Sequence, residues 1–420
     1  MGSTTIRRRR GAGVLLTLVL TLLASLFVVV ATSGPAAAAK GTVRGQVIST
    51  TGGPLKIRMM WFDKNWGFLG QRKLNGNIYS LTLPEGTYHL QFVDLRPSYD
   101  VTKYAPTDIK VTIQASNPVQ RDVKMRRGAA FTGTVKAGGK PAGGARIVAA
   151  STDETSYETK ANSLGQFALG GLPSGDYSVF SYDRQKVWVG KSLWVPKVVR
   201  PEIRNIAPKM KTKGGSMLVD LKRPDGSPMK GSFFVTAVSK ASGQFWTARA
   251  QGGVVSFADL YPGRYKMVAP GVGVYLAHTG TVKGGYVRSG RADLAASFSW
   301  THRGAWFTGA VYDQEDPSIP LEDALVLVYD KAGHQLGSGL TNSDGLFRVE
   351  GPIDTQTGVT VAVQSSDING YLHVGSLYCK FERVELGGYT ATRDTRTEVG
   401  EVLLPHRPAD EQDTAQCAPS

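Results

Sequence analysis

Arg127-Gly128-Ala129-Ala130-Phe131-Thr132-Gly133-Thr134-Val135 returns as Arg303-Gly304-Ala305-Trp306-Phe307-Thr308-Gly309-Ala310-Val311, an offset of 176 residues. Half that spacing is present as well. The Pro-x-Gly-x-Tyr signature at Pro84, Gly86 and Tyr88 recurs 89 residues on at Pro173, Gly175 and Tyr177, and a shortened copy, Pro262-Gly263-Arg264-Tyr265, follows after another 89. Gly351-Pro352 marks a fourth, weaker copy 90 residues further. Solenoid repeats run to roughly 20 to 50 residues, so this period matches a small domain instead. The expected organisation is four like modules at 40–126, 127–211, 212–300 and 301–405, with a polar tail at 406–420. A string of like modules reaches and binds, whereas catalysis needs one site unlike the others.

Within each module, short alternating runs of Val, Ile, Phe and Tyr are separated by turn residues, the pattern of strands. In the second, Phe131 to Lys136 alternates, Gly138-Gly139-Lys140-Pro141 turns, Ala145 to Ala150 runs again, and Pro173-Ser174-Gly175 leads into Tyr177 to Tyr182. No stretch carries apolar residues at three- and four-residue spacing for the length of an amphipathic helix. The 50 glycines and 21 prolines punctuate the turns. The expected fold is all-β, four tandem Ig-like or transthyretin-like β-sandwich modules. Short polar links at Arg126-Arg127-Gly128, Lys211-Thr212-Lys213-Gly214 and Arg303-Gly304 predict a semi-rigid rod.

In the second module the succession Gly133-Thr134-Val135, Gly139-Lys140-Pro141-Ala142-Gly143-Gly144-Ala145, Gly165-Gln166-Phe167-Ala168-Leu169 and Gly171-Leu172-Pro173-Ser174-Gly175-Asp176-Tyr177 resembles the carboxypeptidase regulatory-like domain. The fourth module fits equally through Thr341-Asn342-Ser343-Asp344-Gly345-Leu346-Phe347. The first and third fit more loosely, and the third lacks the opening Gly-x-Val. The resemblance implies a small β-sandwich related to transthyretin and to the carbohydrate-binding-like superfamily. Its motif residues mark the fold and leave the ligand open.

The peptidase that gives the family its name would need a His followed three residues later by Glu, and none of the six histidines has that spacing. HExxH, GxSxG and the phosphate-binding Gly-rich lysine loop are also missing from the sequence. The reading is therefore non-catalytic, with no cofactor. Asp313, Glu315, Asp316, Glu322 and Asp323 crowd two turns of the last module; hard cations favour such oxygens, but the EF-hand spacing does not fit, and no metal ligand is assigned.

Arg7 to Arg10, the apolar run Val14 to Val30 and Ala37-x-Ala39 form the charged, apolar and small-residue order of a secretory signal over 1–39. A membrane contact is expected only if that leader stays uncut. The formal charge of +15 falls to +11 without the leader's four arginines, and it is uneven: from Thr301 onward 8 basic residues face 18 acidic, leaving +21 on 40–300. A basic surface outside the cell concentrates anionic polymers, an effect that salt weakens. Opposite charge on the first three modules and the last permits head-to-tail self-association. No nucleic-acid motif accompanies the scattered basic residues, so nucleic acid is not an expected partner. In an oxidising compartment Cys379 and Cys417 would close a loop of about 38 residues, worth roughly 3 to 4 kcal/mol.

Four tryptophans are the candidate ligand contacts, for a polysaccharide or anionic wall polymer. If Val187 to Val195 is one strand, Val187, Val189, Leu193 and Val195 share a core face while Trp188 and Trp194 face water, roughly 20 Å apart; Gly190 could instead bend the segment. Trp61 and Trp66, with Phe68, Lys64 and Asn65 beside them, form a second platform. The alternative for all four is packing over cores or joints, the usual work of large aromatics in small domains. Two further functions remain open on this reading, a structural spacer or adhesin stalk and an accessory subunit of a secreted hydrolase.

Overall fold

The computed structural model describes residues 40–408 apart from 53–54, 116, 154 and 375–377. The leader at 1–39 and Cys417 lie outside the described residues. Among the described residues there are strands and turns and no helix.

The same pairing pattern recurs four times. In the first module Lys40–Ser49 pairs antiparallel with Ile78–Pro84 and parallel with Val119–Gln120 and Val123–Met125, while Ile57–Phe62, flanked by Phe68–Lys73 and Gly86–Asp94, builds the facing sheet with Thr107–Ile113. Ala129–Thr134 takes the central place in the second module between Gln166–Leu172 and parallel Ile203–Ile206. Trp306–Asp313 takes it in the fourth, between Leu346–Glu350 and parallel Arg396–Leu404. Alternating residues from both sheets meet in one core per sandwich, such as Phe131, Phe167, Tyr177 and Val195 in the second module.

The third module keeps this pairing, with Gly215–Lys222 between Val254–Leu260 and parallel Ala292–Ser299, and adds a bond at each edge. Gln251 pairs with Val254 across a tight hairpin and Lys283 with Ser297, so the two sheets join into a closed seven-strand ring. Strands long enough to reach both neighbours, His278–Val287 above all, make this closure available.

The Pro-x-Gly-x-Tyr signature has a physical cause. Each tyrosine hydroxyl folds back to donate to the carbonyl four residues earlier: Tyr88 to Pro84 at 2.9 Å, Tyr177 to Pro173 at 2.7 Å, and Tyr265 to Tyr261. The ring enters the core while its hydroxyl is satisfied at the turn, which removes the cost of burying it.

The repeated Arg-Gly-Ala is a joint. The Gly128 amide donates to the Lys103 carbonyl at 2.9 Å, and Arg127 bridges Tyr104 of the module before. Gly304 repeats this with the Val274 carbonyl at 2.8 Å, and Arg303 bridges Tyr275. A Cβ on Gly128 would stand 2.5 Å from the Gly171 Cα, and one on Gly304 would stand 2.1 Å from the Gly351 carbonyl oxygen. Only glycine permits that approach.

The middle joint is built differently. Val148, Phe180 and Tyr182 of the second module belong to the same buried cluster as Trp246, Tyr265 and Phe257 of the third. Tyr182 donates to the Phe245 carbonyl at 2.7 Å and Gln244 Nε2 to the Ser181 carbonyl at 3.2 Å. Thr212–Lys213 pairs with Trp188–Val189, so the second module's sheet runs two residues past its expected end.

The rod expected from the short links gives way to a folded-back arrangement: His334 Nε2, on a turn of the fourth module, lies 3.7 Å from Asp63 Oδ2 of the first. An exposed pair of this kind is worth at most about 1 kcal/mol. The packed joints, which set each module's angle to the next, hold the arrangement.

Gly128→Ala and Gly304→Ala should each cost about 2–3 kcal/mol in chemical denaturation, because the neighbours met are backbone and cannot rotate away. Gly370→Ala, outside the left-handed region and with nothing within 4 Å of the added carbon, is the comparison without a clash.

Candidate functional site

The tryptophans do not form the two expected platforms. Alternation along Ile57–Phe62 sends Trp61 toward the main core of the first module, over Gly70, where a Cβ would stand 2.4 Å from the indole. Trp66 belongs to the opposite face. It packs against Met60, Phe62 and Val93 and stacks on His89 at 4.1 Å and 13°. Asp63 shapes this turn by accepting the Asn65 and Gly67 amides, and Trp66 sits there at φ +67°. Trp61 and Trp66 are both half-buried, and no common surface joins them.

The segment Val187 to Val195 is not one strand. It breaks at Gly190 into Trp188–Val189 and Leu193–Val198. Asp183 Oδ2 accepts the amides of both Val187 and Trp188 at 3.1 Å, and this fixes how the chain leaves the turn. Val187 is consequently exposed, contrary to the alternation expected, while Trp188 turns inward onto the second module's core and covers Gly138. Trp194 does face water, 53% exposed. The two indoles thus lie on opposite sides of the sheet, and Trp194 alone of the four is open to a ligand.

In the first of the acidic turns of the fourth module, the carboxylates find partners within the module. Asp313 is buried, receives the Tyr371 hydroxyl at 2.9 Å and the Glu315 amide at 2.8 Å, and lies 2.9 Å from His406 Nε2. Burial raises its carboxyl, but these hydrogen bonds outweigh that and hold it below the usual carboxylate range. Asp316 accepts the Ser318 amide and hydroxyl. Among the described residues no group of three or more His, Cys, Asp or Glu side chains is placed to hold a metal ion. Cys379 is buried. No described helix is long and apolar enough to cross a membrane.

Sequence reading missed Asp259. It ends the inward row of Val255 and Phe257, at φ +54°, and lies beside the middle joint. Burial pushes its carboxyl up to about 6, against the pull of Lys186. Its position in an ordinary Phe-Ala-Asp-Leu strand gave no signal, because the partner surface comes from another module.

No family model matches the chain, and no curated protein does. Among solved structures it is similar to the Bacillus anthracis TIE protein, at 12% identity over 89% of this chain and 76% of that one, with a TM-score of 0.24. It is also similar to a streptococcal ancillary pilin (13% identity, 67% of this chain and 99% of that one, TM-score 0.24). The shaft pilin SpaA of Lactobacillus rhamnosus GG gives 10% identity over 41% of this chain and 98% of that one, with a TM-score of 0.21. Scores this low carry no argument about function, and the all-β architecture rests on the strand pairing itself.

Trp188→Ala should lower stability by about 2 kcal/mol through lost packing, while Trp194→Ala should stay within about 0.5 kcal/mol, both measured by urea denaturation. Asp259 binds its proton more tightly folded than unfolded, so stability should fall as pH rises from about 4 through 6. Asp259→Asn should flatten that part of the profile and raise the melting temperature at pH 8.

Proposed function

We propose that the protein is a non-catalytic, extracellular structural array of carboxypeptidase regulatory-like sandwiches, a spacer of the adhesin-stalk class that acts as a stiff block. The observation that carries this reading is the core shared between the second and third modules, where Tyr182 is buried against Trp246 at 5.7 Å with its hydroxyl bonded across the joint. Inter-domain contacts inside one chain are ordinarily polar and permit relative motion. Here aromatic residues are removed from water by both modules together, so separating them exposes apolar surface at roughly 25 cal/mol per Å². The two glycine joints add stiffness on either side.

Export rests on the leader motif. Self-association rests on the contrast between +21 on residues 40–300 and −10 on the remainder, and it should weaken with salt. Polysaccharide stacking is the second reading, and Trp194, as the one exposed indole of the four, is the observation that favours it.

Scanning calorimetry on the full chain tests the block. The second and third modules should unfold in a single transition, and Tyr182→Ala should split it into two. Two independent transitions in the unsubstituted chain would contradict a stiff spacer.

A further inference from the structure

Beside the shared core, between the second and third modules, opens a cleft of about 340 Å³. Arg146, Arg184 and Lys186 line it from one module, and Trp246, Phe257 and Asp259 from the other. That volume is several times a single oxyanion and falls in the range of small-molecule sites, roughly 300 to 1,000 Å³.

The backbone of its walls is constrained. The Arg146 guanidinium lies over the Tyr182 ring at 4.4 Å and donates one hydrogen bond to Glu158 at 3.2 Å, leaving other donors available. The Arg184 side chain runs across Gly144, whose added Cβ would stand 2.8 Å from its Cδ. Lys186 and Asp259 both hold left-handed backbone, at φ +58° and +54°, a strained conformation for residues other than glycine. A Cβ on Gly214 would stand 2.8 Å from the Asp259 Cα, so the linker itself presses this strand into place.

Three cations in the lining, Arg146, Arg184 and Lys186, face two carboxylates, Asp183 and Asp259. Asp183 is committed to its own turn, where its carboxylate accepts the amides of Gln185, Val187 and Trp188. Glu158 is turned to Arg146. Asp259 is the other carboxylate in the lining. The Trp246 indole N–H helps hold its charge but makes no hydrogen bond of normal geometry, and Tyr182 and Tyr265, the other titratable neighbours, stay neutral because burial pushes both phenols up.

We propose that this cleft binds an acidic saccharide, a sugar ring carrying a carboxylate or a sulfate, with Arg146, Arg184 and Lys186 around the anion and the Tyr182 and Trp246 edges beside the ring. Guanidinium and ammonium groups suit oxyanions of either kind. Asp259 gates the site: charged, it repels the ligand's anion, and protonated, it offers a hydrogen-bond donor instead. Affinity therefore rises as pH falls through about 6. This site does not depend on the spacer reading, and its ligand would be held at a joint, away from Trp194.

The test is isothermal titration of the full chain at low salt, at pH 5 and pH 8. The probes are oligogalacturonate, a sulfated galactose oligomer, the neutral galactose oligomer, inorganic sulfate and oligoglutamate. One or both acidic sugars should bind about tenfold tighter at pH 5 than at pH 8, and whichever binds names the anion. Arg184→Ala with Lys186→Ala should weaken binding at least tenfold with an unchanged near-ultraviolet dichroism spectrum. Asp259→Asn should bind at pH 8 as tightly as the parent does at pH 5. The proposal is overturned if neither acidic sugar binds, if inorganic sulfate or oligoglutamate binds as tightly as they do, or if the double variant binds unchanged.

Discussion

Two glycines without a side chain, Gly128 and Gly304, set the spacing on which the architecture depends. At each, two backbones approach to within the radius of a methyl group, and the amide reaches a carbonyl of the preceding module. The arginine before and the alanine after follow from that geometry. Arg127 and Arg303 extend the pairing to Tyr104 and Tyr275, and Ala129 and Ala305 are buried in the core of the module they open. The next residue but one, Phe131 or Phe307, is fully buried and anchors the new core. A single short stretch therefore closes one joint and starts one sandwich.

This accounts for the 176-residue repeat in preference to a uniform period of 89. The unit that recurs is a pair of modules with a glycine joint inside it, and the two pairs meet at a joint of another kind. There, aromatic residues of both partners form one core, and the chain crosses as an added strand in addition to a glycine contact at Gly214. The second kind of joint leaves a cleft at its margin, because two curved sheets packed through a central cluster part at their rims. The strained, charged residues Lys186 and Asp259 stand at that rim.

Much of the fold was legible in the residues. The Tyr88, Tyr177 and Tyr265 turns repeat because a buried phenol needs a local acceptor, and the period of those turns gives the module count. What remained hidden was decided by groups distant in sequence. Val187 and Trp188 exchanged sides because the Asp183 carboxylate captures their amides and the strand breaks at Gly190, where alternation assumes unbroken extension. Trp61 and Trp66 sit five residues apart, yet an Asp63-built turn places them on opposite faces. Short polar links indicated a rod, but link length does not set the angle between modules; the surfaces that meet do. Asp259 was invisible for the same reason, since its environment comes from another module.

The central claim is that the joints are packed interior and not hinges. Native-state hydrogen exchange at the amides of Gly128, Gly304 and Gly214, which donate to Lys103, Val274 and Val187, tests it most directly. These amides should exchange as slowly as those of the buried strands on either side, with opening free energies of the same size. Exchange as fast as at an open turn would mean that the modules swing freely, and would contradict the account.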